Sequence, residues 1–202
     1  MKNSFAENSY TVMRNIIGKE LTQFLFKYLK HRREVMFFLK ESTYLSPFDK
    51  SYGTMDDSQI PGTYAHYGDM ALDLLLPHVK EKIEKEIDLQ LVENYTYARL
   101  YKRYDTLVRH IDRKSCEVSG TMMLGGDEWP IFLQDKNKKE IKVDLNPGDI
   151  LLYRGCGLEH WREPFTKTLC AQVFIHYNEK TEETEKTKFD GRMLLGTPSD
   201  SI

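Results

Sequence analysis

The chain has 202 residues, 40% of them apolar and 30% charged, so it can enclose a sizeable core and is too apolar to be disordered as a whole. With 29 Lys and Arg against 31 Asp and Glu, its formal charge of −2 argues against a general electrostatic grip on nucleic acid. Residues 1–25 lack a continuous apolar stretch, and the longest apolar run, Val35–Leu39, is far short of the ~20 residues of a membrane span, so neither a secretory leader nor a membrane anchor is expected.

In chain order, residues 15–39 read as a helix: Ile17, Leu21, Phe24, Leu25 and Tyr28 form one apolar stripe at helical spacing. Residues 40–67 lose that period and gather Ser, Asp, Gly and Pro, which predicts a long loop. Loops of that length in compact domains are usually functional or disordered. The loop is expected to lie near the mouth of a site and act as a lid. Helical spacing returns with Leu72, Leu75, Leu76, Val79, Ile83 and Ile87, and Pro77 divides the pattern into two short helices, standing in the first turn of the second.

From residue 91 the texture is β. Tyr95, Tyr97, Arg99 and Tyr101 alternate with Thr96, Ala98 and Leu100, and further strands are predicted at 107–112, 117–124, 131–133, 140–145, 149–153 and 168–177. Turn residues separate them, among them Gly125-Gly126-Asp127, Asn146-Pro147-Gly148 and Gly155-Cys156-Gly157. Short strands at this spacing predict a sandwich or jelly-roll barrel, with the helices covering one sheet. Residues 178–188 carry no apolar side chain and are expected to be exposed and mobile. The expected plan is one domain over 1–202: helical support and a long loop over 1–90, the β core over 91–177, and a polar extension over 178–202. Cys116, Cys156 and Cys170 are odd in number and lack paired metal-ligand spacing, which predicts free thiols in a reducing, cytoplasmic setting.

His110-Ile111-Asp112 puts an imidazole and a carboxylate at i and i+2, which share one face of a strand. His160 follows 48 residues after Asp112, beyond a Pro-Gly-Asp turn, an apolar strand and a Gly-rich loop. Two imidazoles and a carboxylate converging on one point make the facial triad that holds non-haem Fe(II) and leaves positions open. His176, at the end of the last strand, is the second choice for the distal imidazole. His31, His66 and His78 have no partner at ligand spacing.

Three segments carry a family resemblance: Tyr101-Lys-Arg-Tyr-Asp-Thr-Leu-Val-Arg-His110-Ile-Asp112, Leu145-Asn-Pro-Gly-Asp149-Ile-Leu-Leu-Tyr153 and Glu159-His160-Trp161-Arg162. Residues 91–177 thereby resemble the double-stranded β-helix core of the Fe(II)- and 2-oxoglutarate-dependent dioxygenases, more narrowly the prolyl-hydroxylase-like branch and a microbial and viral subgroup of it. The resemblance implies a mainly β, α+β fold: a jelly-roll core with N-terminal helices on one sheet. It also implies His110, Asp112 and His160 as iron ligands, 2-oxoglutarate and O2 as co-substrates, and Tyr101 in the 2-oxoglutarate pocket.

One departure stands out. The family places Arg or Lys nine or ten residues after the distal His to bind the C5 carboxylate of 2-oxoglutarate, and here those positions hold Leu169 and Cys170. Arg162, two residues beyond His160 and on the same face of an extended segment, is the first choice for that clamp, because a guanidinium can grip a carboxylate through two parallel hydrogen bonds. Lys167, Arg99 and Arg113 are runners-up. Gln172 on the last strand can hydrogen-bond a carboxylate, Ser119 and Thr121 are candidate polar lining, and Trp129 and Trp161 are expected to close the barrel. The expected activity is hydroxylation of a peptidyl side chain, prolyl first, with a free amino acid or other small molecule as the alternative substrate. A jelly-roll module that binds metal or ligand without turnover is the non-enzymatic alternative.

Overall fold

The computed structural model describes residues 4–198. A short helix α1 (Ser4–Asn8) and strand β1 (Tyr10–Met13) precede the long helix α2 (Lys19–Glu41). After the 42–63 loop come β2 (Tyr64–Tyr67), α3 (Met70–Asp73) and α4 (Leu75–Ile87). The β core then runs through β3 (Leu91–Lys102), β4 (Leu107–His110), β5 (Val118–Gly126), β6 (Ile131–Gln134), β7 (Glu140–Val143), β8 (Ile150–Tyr153), β9 (His160–Arg162) and β10 (Leu169–Glu179). Helix α5 (Glu182–Lys186) and a 3₁₀ turn follow.

The strands form two antiparallel sheets, a six-stranded one in the order β1-β8-β5-β10-β3-β2 and a four-stranded one in the order β4-β9-β6-β7. Period-two alternation sorts the large sheet into two faces. Ala98, Leu100, Met122, Ile150, Leu152, Ala171, Val173 and Ile175 point outward and pack with Leu25, Leu29, Met36, Leu76, Val79 and Ile83 of α2 and α4. Arg99, Tyr101, Ser119, Thr121, Tyr153, Cys170, Gln172, Phe174 and His176 occupy the intervening positions, and all are buried. Thus the helices shield one face and the other encloses a polar interior with the small sheet. Among the described residues no helix is long and apolar enough to cross a membrane.

The helical predictions hold with shifted edges. Pro77 stands in the first turn of α4, where its missing N–H costs nothing, and Asp69 caps α3 by accepting from the amides of Ala71 and Leu72. The buried stripe of α2 is Thr22, Leu25, Leu29 and Met36, whereas Phe24 is 61% exposed and Ile17 precedes the helix. Helix α2 lies close on β5, and Gly125 makes the approach possible: a Cβ there would sit 2.8 Å from the Phe26 ring. The tail is largely exposed over 181–188, as expected, and more regular than its sequence suggested. β10 runs on to Glu179, and α5 is set by a reciprocal cap between Thr181 and Thr184, so 178–188 is regular structure with a polar surface.

Candidate metal centre and ligand cavity

His110 ends β4 and His160 begins β9, and the two are register partners in the small sheet. Each donates Nδ1–H to a main-chain carbonyl two residues earlier, His110 to Val108 at 2.8 Å and His160 to Leu158 at 3.0 Å. A carbonyl oxygen only accepts, so both rings carry their proton on Nδ1 and turn an Nε2 lone pair to the interior. Oδ1 of Asp112 lies 3.7 Å from Nε2 of His110 and 3.5 Å from Nε2 of His160. One ligand atom from each of the three residues lies within 4.8 Å of the others. Donors about 2.1 Å from one ion stand about 3 Å apart, so the Asp112–His separations of 3.5 and 3.7 Å are slightly wider than those around a bound divalent ion. The donor set, two neutral imidazoles and one carboxylate, fits Fe(II).

Asp112 does not extend the strand as its spacing predicted. β4 stops at His110, and the Asp112 amide donates instead to the carbonyl of Gly155 at 2.9 Å. Ser119 donates to Oδ2 of Asp112 at 2.7 Å, and a Cβ on Gly155 would lie 2.6 Å from that same oxygen. The glycine of the 155–157 turn thus makes room for the carboxylate, a role the sequence alone did not disclose. Burial pushes the Asp112 pKa up, but the hydrogen bond and charge that His160 offers in its protonated form, the charge of protonated His176 and the Ser119 hydroxyl outweigh it and bring the pKa down to about 2. Burial first, and the neighbouring His160 second, hold His110 below the ordinary histidine value. His176 lies on the cavity wall, 3.0 Å from the Ser119 hydroxyl through Nδ1, and burial pushes its pKa down to about 4.

Two positions along β9 from His160, Arg162 is 1% exposed. It donates through Nη1 to the Trp129 carbonyl and through Nη2 to Thr121 Oγ1 at 3.4 Å, while its Nε has no partner. Among the described residues no carboxylate forms an ion pair with it, and burial holds its pKa below the usual arginine range. Tyr101 is wholly buried, and its hydroxyl also lacks a partner. Thr121, Cys170 and Gln172 complete the group: Thr121 donates to Gln172 Oε1 at 3.3 Å and Gln172 donates to Cys170 Sγ at 3.2 Å. A buried guanidinium with spare donor capacity beside an unsatisfied hydroxyl fits a carboxylate.

A cavity of about 540 Å³ opens on the triad, walled by Arg99, Tyr97, Phe174, His176 and Leu107 and covered by Asp57, Ser58 and Gln59 of the 42–63 loop. Arg162 and Tyr101 do not line it and are buried beside it. Arg99 is paired with Asp57 at 2.7 Å, and Tyr97 hydrogen-bonds the same carboxylate. Arg113, at the rim, is paired with Asp190 at 2.5 Å. Lys167 is exposed and borders a separate outer groove with Trp129 and Phe165, so it lies outside this constellation. Trp129 packs against Tyr101 and Phe165, and Trp161 stacks on Phe132. His66 meets Asp69 at 3.3 Å in a buried cluster with Tyr28 and Arg32 between α2 and α3.

No family model and no curated protein matches the sequence, but solved structures match the fold. A prolyl-4-hydroxylase from Pseudomonas putida superposes with a TM-score of 0.67 at 12% identity, over 88% of this chain and 96% of that one. A prolyl hydroxylase from Trichoplax adhaerens, in complex with a hypoxia inducible factor peptide fragment, gives 0.65 at 16% identity over 92% and 89%. HygX from Streptomyces hygroscopicus, with nickel and 2-oxoglutarate bound, gives 0.61 at 10% identity over 86% and 84%. The fold is that of the 2-oxoglutarate–Fe(II) oxygenases. At these identities the likeness establishes the double-stranded β-helix architecture, with its helices on one sheet, and the chemistry rests on the residues themselves.

Proposed function

We propose that the protein is an Fe(II)- and 2-oxoglutarate-dependent dioxygenase that hydroxylates a peptidyl side chain, prolyl first. The observation that carries this reading is the pair of imidazoles locked as Nδ1–H tautomers, so that two Nε2 lone pairs and Asp112 Oδ1 face one point. Iron bound there by His110, Asp112 and His160 would supply oxidation of a C–H bond by O2, coupled to conversion of 2-oxoglutarate to succinate and CO2. The chain's own contribution is placement. Val108 and Leu158 carbonyls fix the ring orientations, and Arg162, with Tyr101 and Thr121 beside it, receives the far carboxylate of the co-substrate. Arg162 is preferred to Arg99 because Arg99 already has Asp57 as its counter-charge, whereas Arg162 has none among the described residues. Gln172 supports Thr121 rather than reaching outward. The 42–63 loop covers the cavity and restricts water, and the aromatic wall of Tyr97 and Phe174 suits an apolar ring next to the metal. A prolyl substrate is favoured by the likeness to two prolyl hydroxylases; a free amino acid or other small molecule is the second substrate class.

The test is anaerobic addition of Fe(II) and then 2-oxoglutarate to the metal-free protein. The proposal expects a weak visible charge-transfer band that needs both additions and is absent in His160→Ala. Its absence in the parent protein would favour a binding module without turnover.

A further inference from the structure

We infer that Ser119 and His176 are a positioning pair that presents Asp112 to the metal through a single oxygen, an inference that rests on the dioxygenase reading above. The two residues are direct register partners across β5 and β10. The Ser119 hydroxyl lies 2.7 Å from Oδ2 of Asp112 and 3.0 Å from Nδ1 of His176, with the Cys116 carbonyl a longer contact at 3.4 Å. An ionised carboxylate only accepts, so the one hydroxyl proton is committed to Oδ2. His176 then donates its Nδ1–H to the hydroxyl oxygen, and the direction of the whole relay follows: His176 to Ser119 to Asp112.

This relay divides the carboxylate. Oδ2 is held by Ser119 on the side where Gly155 leaves space, and Oδ1 is the oxygen that faces the two Nε2 atoms at 3.5 and 3.7 Å. Without the hydroxyl the carboxylate could rotate about its Cβ–Cγ bond and present either or both oxygens. His176 is itself held by ring packing. It packs on Tyr95 at a centroid distance of 4.6 Å, and Tyr95 stacks on Tyr67 at 4.8 Å. On the other flank of Ser119, β8 brings Tyr153 into register, and its hydroxyl reaches Nε2 of His160 at 3.3 Å. His176, considered from spacing alone as a second choice for a ligand, is outside the set of clustered donor atoms; the structure gives it a place one residue behind the carboxylate.

Calorimetric titration of the metal-free protein with Mn(II) tests this, with melting temperature and circular dichroism as the check on folding. Partners of metal ligands are typically worth 10–100-fold in metal affinity. Ser119→Ala is expected to weaken Mn(II) binding by that factor, and Ser119→Thr, which keeps the hydroxyl, to restore most of it. His176→Asn keeps an N–H donor near the place of Nδ1 and is expected to bind nearly as the parent does. His176→Phe keeps the ring packing without the donor and is expected to lose several-fold, with an altered Mn(II) electron paramagnetic resonance spectrum. If Ser119→Ala fails to fold, the Asn and Phe variants at 176 decide the matter. Parental affinity in both Ser119→Ala and His176→Phe would overturn the pair, as would a loss in His176→Phe as complete as in His160→Ala, which would make His176 a ligand. No Mn(II) binding by the parent would instead overturn the dioxygenase reading and the pair together.

Discussion

His160 and Arg162 stand two residues apart on the three-residue strand β9, so one face of that strand offers an imidazole to the candidate metal centre and then a buried guanidinium with no carboxylate partner among the described residues. An uncompensated buried charge is costly by several kcal/mol, and it persists where a ligand supplies the missing counter-charge. Replacing Arg162 with Ala is expected to weaken 2-oxoglutarate binding by about 2–5 kcal/mol, the usual loss on truncating one partner of a buried charge pair. Lys should recover only part, because a point charge does not replace a two-pronged donor. The same logic predicts that Arg162→Met, similar in reach and uncharged, melts higher than the parent in the absence of ligand. Calorimetry with 2-oxoglutarate on the Mn(II)-loaded variants decides; parental affinity in Arg162→Ala with loss in Arg99→Ala would move the clamp to Arg99.

Gly155 supports the centre through the space it leaves. Its φ is not in the left-handed region, so Ala incurs no backbone strain there. The added methyl would meet the Cys116 carbonyl and the Ser119 hydroxyl at 2.4 Å each and Oδ2 of Asp112 at 2.6 Å. Gly155→Ala should therefore cost about 1–3 kcal/mol of stability through overpacking and shift the carboxylate, lowering Mn(II) affinity at least about tenfold. Unchanged metal affinity in a folded Gly155→Ala protein would show that the carboxylate has room to spare.

Acid should destabilise the metal-free protein in a defined window. His176 titrates near 4 when folded and near 6.5 when unfolded. Between those values the unfolded chain holds a proton that the folded chain rejects, so this contribution is full above pH 6.5, declines as pH falls, and is gone below about 4. Its size is at most about 3 kcal/mol. His110 acts in the same sense, and Asp112, depressed to about 2, continues the loss between about pH 4 and 2. Urea denaturation of the parent between pH 7.5 and 4.5 should show the decline, and His176→Asn should flatten it. An equal slope in both would assign the acid sensitivity elsewhere.

Two of the contacts that fasten the 42–63 loop lie at the cavity. Asp57 binds Arg99 at 2.7 Å and Tyr97, and Ile60 is buried in the cluster with Tyr101, Trp129 and Phe174. Asp57 is held below the usual carboxylate range by the Arg99 charge and the Tyr97 and Arg99 hydrogen bonds, which together overcome its burial. Asp57→Ala leaves Arg99 without its counter-charge, a loss of about 3 kcal/mol or more if the loop stays in place. The expected outcome is loop opening, read as cleavage within 42–63 by a low concentration of protease roughly a hundredfold faster than in the parent. Equal cleavage rates would mean that Ile60 and the Thr63–Asp105 and Thr54–Ala65 contacts secure the loop without Asp57.

The sequence revealed what depends on local periodicity. Alternation around Arg99 placed Tyr97, Arg99 and Tyr101 on one face, and the leucine spacing around Pro77 placed α4. It did not reveal β1, β2 or β9, whose pairing partners lie more than twenty-five residues away, as for Tyr10 with Tyr153, Tyr64 with Leu100 and His160 with Leu133. The triad was legible as residue types in order, but the reason it converges was not. Asp112 is turned inward by the Gly155 carbonyl and Ser119, contacts that only the folded chain creates. Likewise the sequence ranked Arg162 ahead of Lys167, Arg99 and Arg113 by its place beside His160, and only the positions of Asp57 and Asp190 show that Arg99 and Arg113 are already paired.

The central claim is turnover. The direct measurement is succinate formation from 2-oxoglutarate by the purified protein with Fe(II) and O2, alone and with panels of prolyl peptides and free amino acids. The account predicts basal succinate release that is lost in His110→Ala, Asp112→Ala and His160→Ala, each still folded, and that rises with a prolyl peptide. No succinate above the level of the His160→Ala protein under any of these conditions would contradict it.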